Sequence, residues 1–147
     1  MLKGLDPLLT PELLAALRAM GHGDTIAIVD ANVPAEANAR RLIRLDGHGS
    51  ARVLDAVLSV MPLDDFEPDA AQRMEVVGNP AAGMPIFAAF RAVLARHEPG
   101  LKGQLGALER QAFYAATREA FAIVATGETQ LYGNILLRKG VIRPTLG

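Results

Sequence analysis

The chain has 147 residues, half of them hydrophobic but only 5% aromatic, and its 15 basic residues against 16 acidic ones give a formal charge of −1. That balance excludes an electrostatic partner of nucleic acid or anionic lipid, and no apolar run approaches the ~18 residues of a membrane span. With no cysteine there can be no disulfide, thiolate metal site or Cys nucleophile. The length fits one domain, residues 1–147, with a real core. The first residues lack the long apolar stretch of a secretory signal, so the cytoplasm is the expected location. A positive mean hydropathy suggests apolar surface covered by another subunit.

Thr10-Pro11-Glu12 predicts a helix start, because Thr can cap, Pro suits the first turn and Glu complements the dipole. Leu13, Leu14, Leu17 and Met20 repeat at helical spacing and Gly21 ends the run, which leaves His22 just past a helix C-terminus. Thr25 to Val29 reads as a buried strand stopped by the turn-forming Asp30-Ala31-Asn32-Val33-Pro34. Residues 41–45 alternate like a second strand, and Ser50 is positioned to cap a helix carrying Val53, Leu54, Val57 and Leu58. A third strand is expected at 74–77, then a helix with Ile86, Phe87, Phe90 and Leu94, a glycine-rich loop over 99–106, and a fourth strand at 108–110. Residues 114–120 continue as helix, and 121–125 and 134–137 as two apolar strands. The alternation predicts an α/β fold: three layers, with a mostly parallel or mixed sheet covered by helices.

Dinucleotide binding is unlike this sequence, because the third glycine of a GxGxxG begun at Gly21 would fall on Ile26 and the segment precedes a strand. No Walker-type GxxxxGK occurs, and Ser50 and Ser59 lack the surroundings of a nucleophile elbow. His22, His48 and His97 are too widely spaced for a local zinc motif, so no metal is expected. Among the remaining candidates, His22 between two glycines suits proton transfer near neutral pH, or equally a cation capping the preceding helix. Asp30 after a buried strand suits hydroxyl binding or the start of an Asx-turn. Arg110 can grip a hydroxyl or pair with Glu109. Tyr132-Gly133-Asn134 offers a phenol, a close-approach glycine and an amide, or simply a hairpin turn. Met74 and Phe113 read as core.

Taken in order, several blocks resemble the RbsD/FucU family of sugar mutarotases, specifically its L-fucose branch. They are residues 8–14, Met20-Gly21-His22-Gly23-Asp24, Asp30-Ala31, residues 43–47, Phe113-Tyr114, residues 120–128, and Tyr132 to Leu137. The resemblance implies cofactor-free interconversion of the anomers of a monosaccharide by acid/base ring opening. It also implies a homo-oligomer, a decameric ring among the candidates. Carried over by position, His22 matches the general acid, while Asp30, Arg110, Tyr132, Gly133 and Asn134 match sugar-binding positions. Arg110 favours L-fucose over D-ribose, because the ribose branch tends to have His there. Departures occur at Asn32, where the branch tends to have His, and at Glu36, which replaces a second histidine. Alternatives are D-ribose pyranase activity, mutarotation of another sugar, or a sugar-binding module without catalysis; a metal-dependent isomerase is disfavoured by the ligand inventory.

Overall fold

In the computed structural model, which describes residues 1–145, helix α1 (Pro11–Ala19) starts as its sequence dictates, Thr10 Oγ1 accepting from the Leu13 N–H at 3.2 Å. Its end differs from expectation. The helix stops because Met20 turns extended, and Gly21 donates its N–H to Asp24 Oδ2. Lys139 then donates Nζ to the carbonyls of Leu17 and Met20 at 2.7 and 2.6 Å, filling the C-terminal cap.

Strands β1 (Thr25–Val29), β2 (Leu42–Leu45), β3 (Ala71–Met74), β4 (Gly106–Leu108), β5 (Ala122–Thr126) and β6 (Ile135–Arg138) form one sheet in the order β2-β5-β1-β6-β3-β4. β1 runs parallel to β5, β5 to β2, and β3 to β4, while β6 runs antiparallel to both its neighbours, β1 and β3. The sheet is thus mixed, with one reversed strand next to its centre. β1 faces two cores: Ile26 and Ile28 enter the cluster under α1, α3 (Ser50–Leu58) and α4 (Pro85–His97), and Ala27 and Val29 the one under α5 (Arg110–Glu119). This explains its unbroken apolar run, since a strand covered on both sides has no solvent face. Phe113, fully buried, fills the α5 side against small residues such as Ala27 and Ala125.

Four expectations shift. β3 lies three residues earlier than predicted, because Arg73 joins the sheet with its guanidinium 4.1 Å from the Phe87 ring centroid. β4 ends at Leu108, and Glu109 becomes the N-cap of α5, accepting from the Ala112 N–H at 3.1 Å. A short α2 (Ala35–Asn38) occupies the expected turn region. Ser50 is the first residue of α3, not its cap; the capping carboxylate comes from Glu128, at 3.1 Å from the Ser50 N–H. No helix among the described residues is long and apolar enough to cross a membrane.

Candidate functional site

The register places the C-terminal ends of β1, β3, β4 and β5 and the start of β6 at one edge of the sheet. Ligands of α/β sheets favour such an edge, near a change of strand direction. A cavity of about 200 Å³ opens there, with Asp30, Asn32, Arg110, Tyr114, Tyr132 and Asn134 converging on it over apolar walls from Val33, Met74, Val77 and Leu131. Two of the larger hollows are less suited. One of about 390 Å³ is lined mainly by leucines, Val60 and Ile142, and one of about 670 Å³ borders Asp30 but is otherwise lined mainly by residues 33–37, Arg44, Asp46 and the end of β5.

Asp30 is the fixed point of the cavity. Only 5% exposed, it accepts from the Asn134 amide at Oδ2 (3.1 Å) and from the Asn32 N–H at Oδ1 (2.9 Å). Its own N–H donates to Asn134 Oδ1 at 2.7 Å. The Asx-turn and the site are therefore one arrangement: the turn that ends β1 also aims the carboxylate. Asn134, buried at the start of β6, is locked from both sides of its amide.

Tyr132 sits in left-handed backbone at φ +63° and accepts from the Val77 N–H at its hydroxyl oxygen, 3.0 Å away, which pins the phenol to the β3–α4 loop. A non-glycine residue at positive φ is costly and concentrates at functional turns. Gly133 does not line the cavity. A Cβ there would come within 2.6 Å of Glu128 Cγ and 3.1 Å of the Gln130 carbonyl, so packing within the loop demands glycine.

Arg110 opens α5 and makes no ion pair among the described residues, because Glu109 is engaged as the helix cap. Its guanidinium lies 5.2 Å from the Tyr114 ring centroid, so both present polar groups to the same space. Sequence reading missed Tyr114, although its i, i+4 spacing from Arg110 on a helix was a usable signal. Met74 is both core and cavity wall. Asn32, the departure from the fucose-branch pattern, lies in the cavity, whereas Glu36 reaches Arg44 at 3.4 Å.

His22 is not brought to this cavity within one chain. It lies on the loop before β1, whose five residues put roughly 17 Å of extended chain between the two ends. Nor does it cap α1, since Lys139 does that. Its Nε2 lies 3.0 Å from Oδ1 of Asp64, which is buried and receives Arg138 Nε on its other oxygen at 2.8 Å. The Arg138 guanidinium first, and His22 second, hold the Asp64 carboxyl far below the usual carboxylate range. An ionised carboxylate only accepts, so His22 carries a proton on Nε2 and its Nδ1 is left for other chemistry. Phe66 packs against the imidazole with ring centroids 5.0 Å apart. Among the described residues no three His, Cys, Asp or Glu side chains group as metal ligands.

The model of the RbsD / FucU transport protein family matches residues 3–142. Fucose mutarotase of Bos taurus is 44% identical over 97% of this chain and 95% of its own, and that of Danio rerio 41% identical over the same shares. Of solved structures, fucose mutarotase in complex with L-fucose from Streptococcus pneumoniae superposes with a TM-score of 0.88 at 42% identity, covering 97% of this chain and 100% of the other. Bacillus subtilis RbsD complexed with D-ribose superposes at 0.74 with 20% identity over 97% and 100%, a likeness of fold alone.

Proposed function

The chain belongs to the RbsD / FucU family, and from that premise we propose that it is an isomerase, a fucose mutarotase that interconverts the anomers of L-fucose without a cofactor. The supporting observation is the convergence of Asp30, Arg110, Tyr132 and Asn134 on one cavity in a chain 41–44% identical to fucose mutarotases.

Mutarotation adds a proton to the ring oxygen and removes one from the anomeric hydroxyl; the carbonyl then rotates and the ring closes on either face. Positioned acid–base groups supply typically about 10²–10⁴-fold, or roughly 3–5 kcal/mol. In this reading Asp30, Arg110, Tyr132 and Asn134 hold hydroxyls and His22 transfers the proton at the ring oxygen. Gly133 contributes by letting the loop close on itself, not by touching sugar.

Since His22 and Asp30 sit at opposite ends of β1, the His22 that serves a given cavity comes from a second copy. Exposed apolar residues flank both halves. Val77 and Leu131, 63% and 64% exposed, border the cavity, and Phe66, 62% exposed, borders His22. Two different patches on one chain suit a head-to-tail contact, and such heterologous contacts form a ring when the rotation between neighbours closes. A cytoplasmic homo-oligomer is part of this reading.

Saturation-transfer NMR on L-fucose tests the activity. We expect accelerated anomeric exchange with the wild-type protein and a loss of about 10²-fold or more in His22→Ala. Unchanged exchange with wild type rejects the enzyme; binding measured by calorimetry without exchange leaves a sugar-binding module; faster exchange on D-ribose than on L-fucose reassigns the substrate.

A further inference from the structure

Glu128 lies outside the sugar cavity, yet it is 9% exposed and, among the described residues, every hydrogen-bond partner of its side chain is an N–H or O–H group instead of a cation. Its Oε1 accepts from the Ser50 N–H at 3.1 Å and the Ser50 hydroxyl at 3.3 Å, at the N-terminus of the nine-residue α3. The helix dipole and free N–H groups there favour an anion. Oε2 turns the other way and accepts from the Gln130 N–H at 3.1 Å.

The backbone of the same residue reaches the site. Its carbonyl accepts from Ala31 N–H at 2.9 Å, immediately after Asp30. Its N–H donates to Thr126 Oγ1 at 3.2 Å, and that hydroxyl donates to the Val29 carbonyl at 2.8 Å, immediately before Asp30. Two glycines clear its way: a Cβ at Gly49 would lie 3.0 Å from Oε1, and one at Gly133 would lie 2.6 Å from Cγ.

We propose that Glu128 is a positioning residue for sugar binding, anchoring the loop that carries Tyr132 and Asn134 to the N-terminus of α3 and so setting their placement against Asp30. The rigid partner is a helix packed in the core; the held segment is a loop with a left-handed tyrosine that needs outside support to keep its shape. This inference rests on the sugar-site reading above.

Glu128→Gln separates the two halves of the anchor. Its amide oxygen can still accept from Ser50, whereas its NH₂ would face the Gln130 N–H, donor against donor, and release the loop. Hydroxyl-holding contacts act on ground and transition states alike, so the expected result is a KM and a calorimetric Kd for L-fucose raised about tenfold with kcat within about twofold. Amide hydrogen exchange of residues 129–134 accelerates while that of α3 is retained. Gly49→Ala, which crowds Oε1 from outside without removing any charge, is expected to raise KM about threefold. Unchanged KM in a folded variant, with kcat falling in proportion to the folded fraction, overturns the proposal and leaves Glu128 a stabilising group only. Where Glu128→Gln does not fold, Gly49→Ala decides. Wild type inactive on L-fucose rejects the function reading instead, and loop protection unchanged in the variants then overturns the positioning role without reference to any sugar.

Discussion

Asp64 is buried beside two cationic or potentially cationic groups, and its carboxyl is held low chiefly by Arg138 and secondarily by His22. Because its folded value lies below its unfolded one, it stabilises the fold above the usual carboxylate range, and that contribution is lost as pH falls through and below that range. Asp64→Asn is therefore expected to be less stable than wild type at neutral pH and to show a flatter decline on acidification. Thermal melts between pH 7 and pH 3 check this; parallel pH profiles would reject it. At His22 the residue-level reading of the sequence left two roles open, proton transfer and helix cap. The cap is occupied by Lys139, 117 positions along the chain, and no local pattern around His22 carries that information.

Elements were legible where a buried face or a cap is written locally. The first helix and first strand follow from Thr10-Pro11 and from an apolar run with no polar interruption. β3 was not legible, because its interior holds Gln72 and Arg73, and the buried guanidinium is accommodated by the Phe87 ring and by the Met74 carbonyl, to which Arg73 Nη1 donates at 3.2 Å. Ser50 was expected to cap because its type and position suited the task; the group that does so is 78 residues away. A similar long-range cap makes a prediction for α1. Lys139→Met keeps the apolar stem but leaves two carbonyls without their charged donor, and is expected to cost roughly 2 kcal/mol in thermal or urea unfolding. A loss below a few tenths would mean that water satisfies those carbonyls equally well.

At the scale of the molecule, the candidate residues are distributed over two ends of the sheet, and in the proposed reading the assembly is therefore part of the chemistry. Inactive His22→Ala and Asp30→Asn proteins, unfolded and refolded as an equal mixture, are expected to regain activity. With one cavity per interface, roughly a quarter of interfaces join an intact Asp30 to an intact His22. Exchange rates on L-fucose read this directly, and a mixture no more active than its components would show that each chain works alone. Light scattering checks the companion expectation of a closed oligomer.

The sequence by itself determined the α/β class, the strand that ends on Asp30, and a set of polar residues whose order and spacing resemble one family. These depend on local propensities and on side chains named one position at a time. Only the tertiary structure decided that Asp30 and Asn134 lock each other, that Tyr114 joins the cavity, that Gly133 serves packing, and that His22 stands apart from Asp30, Arg110, Tyr132 and Asn134. Those facts depend on strand order and on hydrogen bonds spanning up to 104 positions. Sequence spacing does not encode which end of a strand a neighbour's residue will meet.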